Sequence, residues 1–142
     1  MDERDTTDVV LLRASAVLGT RRRIAVLGVS RDPEKYGHEV FEVLREHHQV
    51  FPINPKVEEV DGQRCYPSLD ELPEPPQVIV LALGPAVTDK VVASCLNRGA
   101  VIWLPPGCFT EGAVELARVG GAEVLADVCP VFVTRRLTAT GG

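Results

Sequence analysis

The residues best placed to do chemistry sit in the loop Gly28-Val29-Ser30-Arg31, directly after the apolar run Ile24-Ala25-Val26-Leu27. A buried strand that breaks at a glycine, passes a small polar turn and resumes as a helix near Tyr36 is where open α/β sheets hold phosphates. Unpaired backbone N–H groups at such a helix start point outward, and the helix dipole favours an anion there. A second candidate is Asn54-Pro55-Lys56, at the end of the apolar segment Val50-Phe51-Pro52-Ile53. In nicotinamide-dinucleotide sites an acidic residue occupies that strand end and holds ribose hydroxyls. Here the end is basic, and Lys56 suits a ribose phosphate better than a free diol. The loop reads Gly28-Val29-Ser30-Arg31-Asp32-Pro33, so the second and third glycines of G-x-G-x-x-G are missing. These features point to a phosphate-bearing ligand.

The remaining reactive residue types give weaker signals. Cys65, Cys95, Cys108 and Cys129 are scattered with no CxxC pair, so spacing supports neither a metal centre nor a disulfide framework. His47 and His48 close a helical segment, where a cation suits the dipole, and read as surface residues. His38 falls in the first turn of that segment, within possible reach of the phosphate. No Ser-His-Asp order or nucleophile elbow is present.

The elements that must position these groups follow from periodicity. Asp8 to Leu18, with apolar side chains at Val9, Leu12, Ala16 and close neighbours, reads as a short amphipathic helix. Tyr36 to His48 is a helix with Val40, Phe41, Val43 and Leu44 on one face. Asp61-Gly62 marks a turn, with a short strand near Arg64 to Tyr66, and Ser68 with Glu71 resembles a capping box. Val78 to Leu83 is a buried strand, Ala86 to Arg98 a helix stopped by Gly99, and Val101 to Leu104 a strand. Thr110 caps a helix Glu111 to Val119, and Glu123 to Ala126 is the last strand. Beyond it the chain is partly apolar and then fades into Thr, Ala and Gly. Alternating strands and helices predict a doubly wound, mostly parallel sheet with helices on both faces. Its strand C-termini would gather Gly28-Val29-Ser30, Asn54-Pro55-Lys56, Leu83-Gly84-Pro85, Pro105-Pro106-Gly107 and Asp127 along one edge.

The 142 residues suit one domain, and 45% hydrophobic with 25% charged residues is the balance of a globule. A net charge of −5 argues against a general nucleic-acid binder; Arg21-Arg22-Arg23 and Arg135-Arg136 read as flanks of strands or of the chain end. No apolar run is long enough to span a membrane, and no signal-peptide core opens the chain, so a cytoplasmic location is expected.

Five segments occur in a recognisable order and spacing: Ala25 to Ser30, Val50 to Lys56, Gly62 to Leu69, Trp103-Leu104 with Gly107, and Asp127-Val128-Cys129-Pro130. Together they resemble the small stand-alone CoA-binding domain family, itself similar to the N-terminal domain of the succinyl-CoA synthetase α subunit. The resemblance covers roughly residues 20–137. It implies a Rossmann-like α/β fold in a single three-layer domain, with coenzyme A or an acyl-CoA as ligand. By position, Gly28, Val29 and Ser30 would cradle the pyrophosphate, and Lys56 would face a CoA phosphate. Asn54 and Pro55 would shape the adenosine side, and Leu83 and Gly84 would line the path across the sheet. Lys35 and Tyr36 would add contacts at the helix start. The chain departs from many members where they carry an arginine near Leu83, a glutamine near Pro105 and an arginine at Val128. Arg31 and Lys35 are candidates to replace that charge.

A CoA ligase would need a phosphorylated-histidine domain and a nucleotide-grasp partner, for which these residues leave no room. The expected function is therefore a non-catalytic CoA binder, a sensor, carrier or regulator. The alternative is an NAD(P)-binding oxidoreductase or redox sensor, in which Lys56 would favour the phosphorylated dinucleotide. Cys129 reads either as a thiol able to form a mixed disulfide with CoA or as a small buried filler; Cys108 reads the same way, and Asp127 as a loop anchor. Residues 1–20 are expected to form a helical extension, 21–137 the binding domain and 138–142 a flexible tail. Val131 and Phe132 are candidates for a homodimer contact or for cover over the sheet edge.

Overall fold

A computed structural model describes residues 3–140. Five parallel strands form one sheet: β1 (Arg23–Leu27), β2 (Gln49–Ile53), β5 (Val78–Leu81), β6 (Val101–Leu104) and β7 (Val124–Ala126), in the order β2-β1-β5-β6-β7. Between β2 and β5 a two-stranded antiparallel hairpin, β3 (Glu59–Val60) and β4 (Gln63–Arg64), turns at Asp61-Gly62. Both turn residues have positive φ, 48° and 79°, as a tight hairpin turn requires.

Side chains alternate across the strands and build a core on each face. Ile24, Val26, Val78, Val80, Trp103 and Leu125 point to one side, under α1 (Glu3–Leu18), α2 (Tyr36–Leu44) and α5 (Pro130–Thr140). Ala25, Leu27, Ile79, Leu81, Ile102 and Leu104 point to the other, under α3 (Pro85–Val91) and α4 (Glu111–Val119). The result is the doubly wound, three-layer α/β domain that the sequence predicts. Pro52 is tolerated because β2 is an edge strand. Its carbonyl accepts the Tyr66 N–H at 2.9 Å, so the hairpin connection covers that edge. No helix among the described residues is long and apolar enough to cross a membrane.

Several local expectations change. In α1 the inward face is Ala14, Val17 and Leu18, with Val10 and Leu11 packed beside them. Val9 and Leu12 are 63% and 74% exposed, and Ala16 is exposed too. The buried face therefore falls on neighbours of the three named positions, because the segment Val9 to Leu18 is apolar at eight of ten residues and its period is weak. The third helix is shorter than predicted. It ends at Val91 and passes into a 3-10 turn, Val92–Cys95. There the Ser94 hydroxyl donates to the Val91 carbonyl at 2.6 Å, competing with the helical ladder next to two β-branched valines. Ser68 makes no side-chain cap and precedes only a single 3-10 turn, Leu69–Glu71. Thr110 does cap α4, its Oγ1 accepting from the Ala113 N–H at 3.2 Å. The end of the chain is helical through Thr140, since α5 seats Val131 and Val133 against the sheet. Residues 141–142 of the predicted tail lie outside the described residues. Val131 is buried and Phe132 is 54% exposed, so only the second is available to a partner.

His48 is not a surface residue. It is 4% exposed, and its Nδ1 accepts the Arg22 N–H at 3.1 Å. Burial lowers its pKa from 6.5 to about 4, with the neighbouring His47 and arginines adding to the shift. Above pH 6.5 the ring is neutral folded and unfolded, and pH has no effect through it. Between 6.5 and about 4 the unfolded chain takes a proton that the folded chain refuses. Stability is therefore expected to fall through that window, by roughly 3 kcal/mol at about 1.4 kcal/mol per pH unit. His48→Asn keeps an acceptor for Arg22 and should flatten the slope in urea unfolding measured from pH 7 to pH 4.5. An unchanged slope would assign the acid sensitivity to other groups.

Candidate functional site

The chain leaves β1 outward to β2 and returns to β5 on the other side, so the connections diverge between β1 and β5. Such a divergence opens a crevice at the strand C-termini. Gly28 turns there with φ of 90° and donates its N–H to the Ile53 carbonyl at 3.1 Å. A Cβ on Gly28 would lie 2.2 Å from the Ala82 carbonyl oxygen. The backbone after β1 thus lies flat against the end of β5.

Two crevices meet at Gly28 and Leu83. The first, of about 510 Å3, is walled by Leu27, Ile53, Leu69, Val87 and Val91, with Asn54, Pro55 and Lys56 on its rim. Arg98 reaches the same rim, paired with Asp70 at 2.8 Å. The second, of about 480 Å3, runs the other way past Ser30, Lys35, Tyr36 and Gly84 to Pro106, Gly107 and Cys108. Each volume lies in the range of small-molecule sites.

The predicted site residues thus converge, but not all in the roles expected. Gly28, Ser30, Lys35, Tyr36, Asn54, Pro55, Lys56, Leu83 and Gly84 all line one crevice or the other. Val29 does not: its side chain is fully buried in the core, and its carbonyl accepts from Asn54 Nδ2 at 2.9 Å. Asn54 is a clamp between the two loops, since its Oδ1 also accepts the Lys56 N–H at 2.9 Å. That leaves its amide little to offer a ribose, and no acid takes the position where nicotinamide sites have one. The Ser30 hydroxyl accepts the Asp32 N–H at 3.0 Å, shaping its own loop. Arg31, one candidate to replace the family's missing charge, faces a neighbouring surface hollow that shares Asn54 and Pro55 with the first crevice. It turns to the hairpin, donating to the Glu59 carbonyl at 3.0 Å, and lines neither crevice. Lys35 does line the second.

At the far end of the second crevice the Tyr36 hydroxyl lies 3.1 Å from Cys129 Sγ. Burial, then the contact with Cys129, raises the Tyr36 pKa well above its ordinary value. Burial also pushes the Cys108 thiol up. Both groups therefore stay protonated at neutral pH. Asp127 is exposed with φ of 63° and donates its N–H to the Leu104 carbonyl, as a loop anchor does. His38 is buried behind the loop and does not reach either crevice.

Two contributions escape sequence reasoning. Gly37 packs so tightly on the turn that a Cβ there would lie 2.1 Å from the Gly28 carbonyl oxygen. It supplies the close helix–strand approach assigned to the third glycine of the dinucleotide fingerprint, nine positions after Gly28 instead of five. Arg98 follows a helix end where nothing local marks it as a rim residue.

Residues 22–135 match the CoA binding domain family. The chain belongs to that family. As a CoA-binding-domain protein it is 35% identical over 121 residues to the alpha subunit of ADP-forming acetate–CoA ligase II of Pyrococcus furiosus. That alignment covers 76% of this chain but 26% of the ligase subunit, so the chain spans about a quarter of that relative. Among solved structures it is similar to a hypothetical protein of Pyrococcus horikoshii OT3, with 32% identity and a TM-score of 0.83; the match covers 90% of this chain and 92% of that one. It also resembles the acetyl-coenzyme A synthetase 1 of Ca. Korarchaeum cryptofilum, solved with phosphate and ADP. There the TM-score is 0.65 at 28% identity, covering 74% of this chain and 25% of that one. The domain is thus of the succinyl-CoA synthetase type, found both inside ligases and in proteins of about this length.

Proposed function

We propose that this CoA-binding domain holds coenzyme A across the two crevices and acts as a binder without chemistry of its own. The observation that carries the reading is the junction at Gly28 and Leu83. A ligand with an adenosine at one end, a diphosphate in the middle and a thin arm at the other matches that shape. The adenosine would lie among Ile53, Leu69, Val87 and Val91, with Lys56 toward a phosphate at the rim. The diphosphate would cross Gly28, near the backbone amides that open α2. The pantetheine arm would follow the second crevice toward Cys108. Absence of catalysis is supported by the groups at that end: Tyr36 and Cys108 are held protonated by burial, and neither is a ready base or nucleophile.

Calorimetry and thermal melts with CoA, acetyl-CoA, NADPH and ATP test the reading. CoA at one hundred times its dissociation constant should stabilise by about 2.7 kcal/mol, a rise of roughly 5–10 °C in Tm. Acetyl-CoA should behave alike and remain intact on incubation. A larger response to NADPH would replace CoA with a dinucleotide, and no response to any of the four would leave the crevices without a nucleotide ligand.

A further inference from the structure

We propose that His38, Glu42 and Asp61 form a binding site for a divalent transition cation of the zinc class, separate from the crevices. His38 and Glu42 are one turn apart on α2, and Asp61 sits at the tip of the β3–β4 hairpin. None of the three lines either crevice.

The argument starts from the two ring nitrogens of His38, which is 3% exposed. Nδ1 lies 2.7 Å from the Ser30 carbonyl oxygen, which can only accept, so Nδ1 carries a proton. In the neutral ring Nε2 then presents a lone pair. That lone pair faces Asp61 Oδ2 at 3.0 Å. Two acceptors do not stand at that distance without a positive centre between them, either a second proton or a metal. Glu42 adds a third donor to the pair. Its carboxylate joins the others, the three donor atoms all lying within 4.8 Å of one another. A proton on Nε2 engages Asp61 alone, whereas a metal engages all three donors, and that difference is what the titration below reads.

Tetrahedral bonds of about 2.0–2.2 Å place neighbouring donors about 3.3–3.6 Å apart, so His38 Nε2 and Asp61 Oδ2, at 3.0 Å, would open by a few tenths of an ångström to admit the ion. Glu42 is exposed on its helix and can close the remaining gap by rotation. The Nδ1–H···O=C bond to Ser30 is the outer support that metal-bound histidines carry. One imidazole nitrogen with two carboxylates suits zinc, or cobalt as its probe, better than calcium or magnesium, which favour oxygen-only shells. Arg45 lies over the Phe41 ring at 4.9 Å and donates to the Asp61 backbone carbonyl at 3.4 Å.

The test uses the full chain, stripped with chelator and titrated with Zn2+ by calorimetry and with Co2+ by absorption. We expect one saturable site whose cobalt spectrum lacks a thiolate charge-transfer band, which separates it from the cysteines. Glu42→Gln alters an exposed side chain and should weaken binding at least tenfold with an unchanged metal-free melt. Asp61→Asn, tolerated at positive φ, should do the same. Absence of saturable binding, a thiolate band, or affinity unchanged in both variants would overturn the proposal and leave His38 as a hydrogen-bond partner of Asp61 only. None of these outcomes depends on whether CoA binds.

Discussion

Gly37→Ala is expected to cost more than about 3 kcal/mol of stability, in the range reserved for core disruption. Helix propensity alone predicts the reverse. Alanine is better than glycine inside a helix by about 1 kcal/mol. The added methyl, however, would lie 2.1 Å from the Gly28 carbonyl oxygen and 2.9 Å from its carbon, both backbone atoms. Neither can rotate away. α2 must lift from the turn, and the lift disturbs Val40, Phe41 and Leu44, which are fully buried. At about 2–4 °C per kcal/mol, the melting temperature should drop by roughly 10 °C. Gly112→Ala supplies the contrast. Gly112 is exposed in α4, and a Cβ there meets only Thr110 Oγ1 at 3.6 Å, an ordinary contact. That change should stabilise by about 0.4–1 kcal/mol. Urea unfolding of the two variants beside the parent decides the matter. Equal stability of Gly37→Ala and the parent would mean that α2 does not rest on the β1 turn.

Lys56→Glu should weaken CoA binding by roughly 10- to 100-fold, the loss of a charge-assisted hydrogen bond worth about 1.5–3 kcal/mol. The fold should survive, because Lys56 is exposed and it is its backbone N–H, not its side chain, that bonds to Asn54. A general fall in affinity would not show which phosphate the lysine meets. Dephospho-CoA does. If Lys56 serves the ribose phosphate, the parent should lose a similar factor on dephospho-CoA, and the variant should lose little more. Calorimetry on the four combinations forms a thermodynamic cycle. Independent, fully additive losses would place Lys56 elsewhere on the ligand. Unchanged CoA affinity in Lys56→Glu would remove it from the site.

The membership of the family bears on how these experiments are read. The ligase relative is about four times as long as the part this chain matches. The ligase activity is said of that longer protein, and the binding measurements above test CoA recognition on this chain by itself.

Much of the architecture is legible in the sequence by itself. Runs such as Val78–Leu81 and Val101–Leu104 are apolar on consecutive residues because both faces of a parallel strand are covered, and they mark themselves as central strands. Gly28, Asn54-Pro55-Lys56 and Leu83-Gly84 could be placed on one edge because right-handed crossovers put every strand C-terminus on the same side. That logic needs only local pattern and chain direction.

Tertiary structure decided what depends on which atoms meet across the fold. Val29 reads as a loop residue yet is spent on the core, and Asn54 looks like a ligand contact but ties two loops together. His48 and His38 follow the same rule: their neighbours in sequence are polar, but Arg22, Ser30 and Asp61 come from distant segments and bury them. The buried face of α1 is set by contact with α5 and the sheet, because eight of the ten residues from Val9 to Leu18 are apolar and leave no clear stripe. Gly37 is the clearest instance. Its role is set by the distance to one carbonyl oxygen nine residues earlier, and close approach between elements leaves no trace in hydrophobic periodicity.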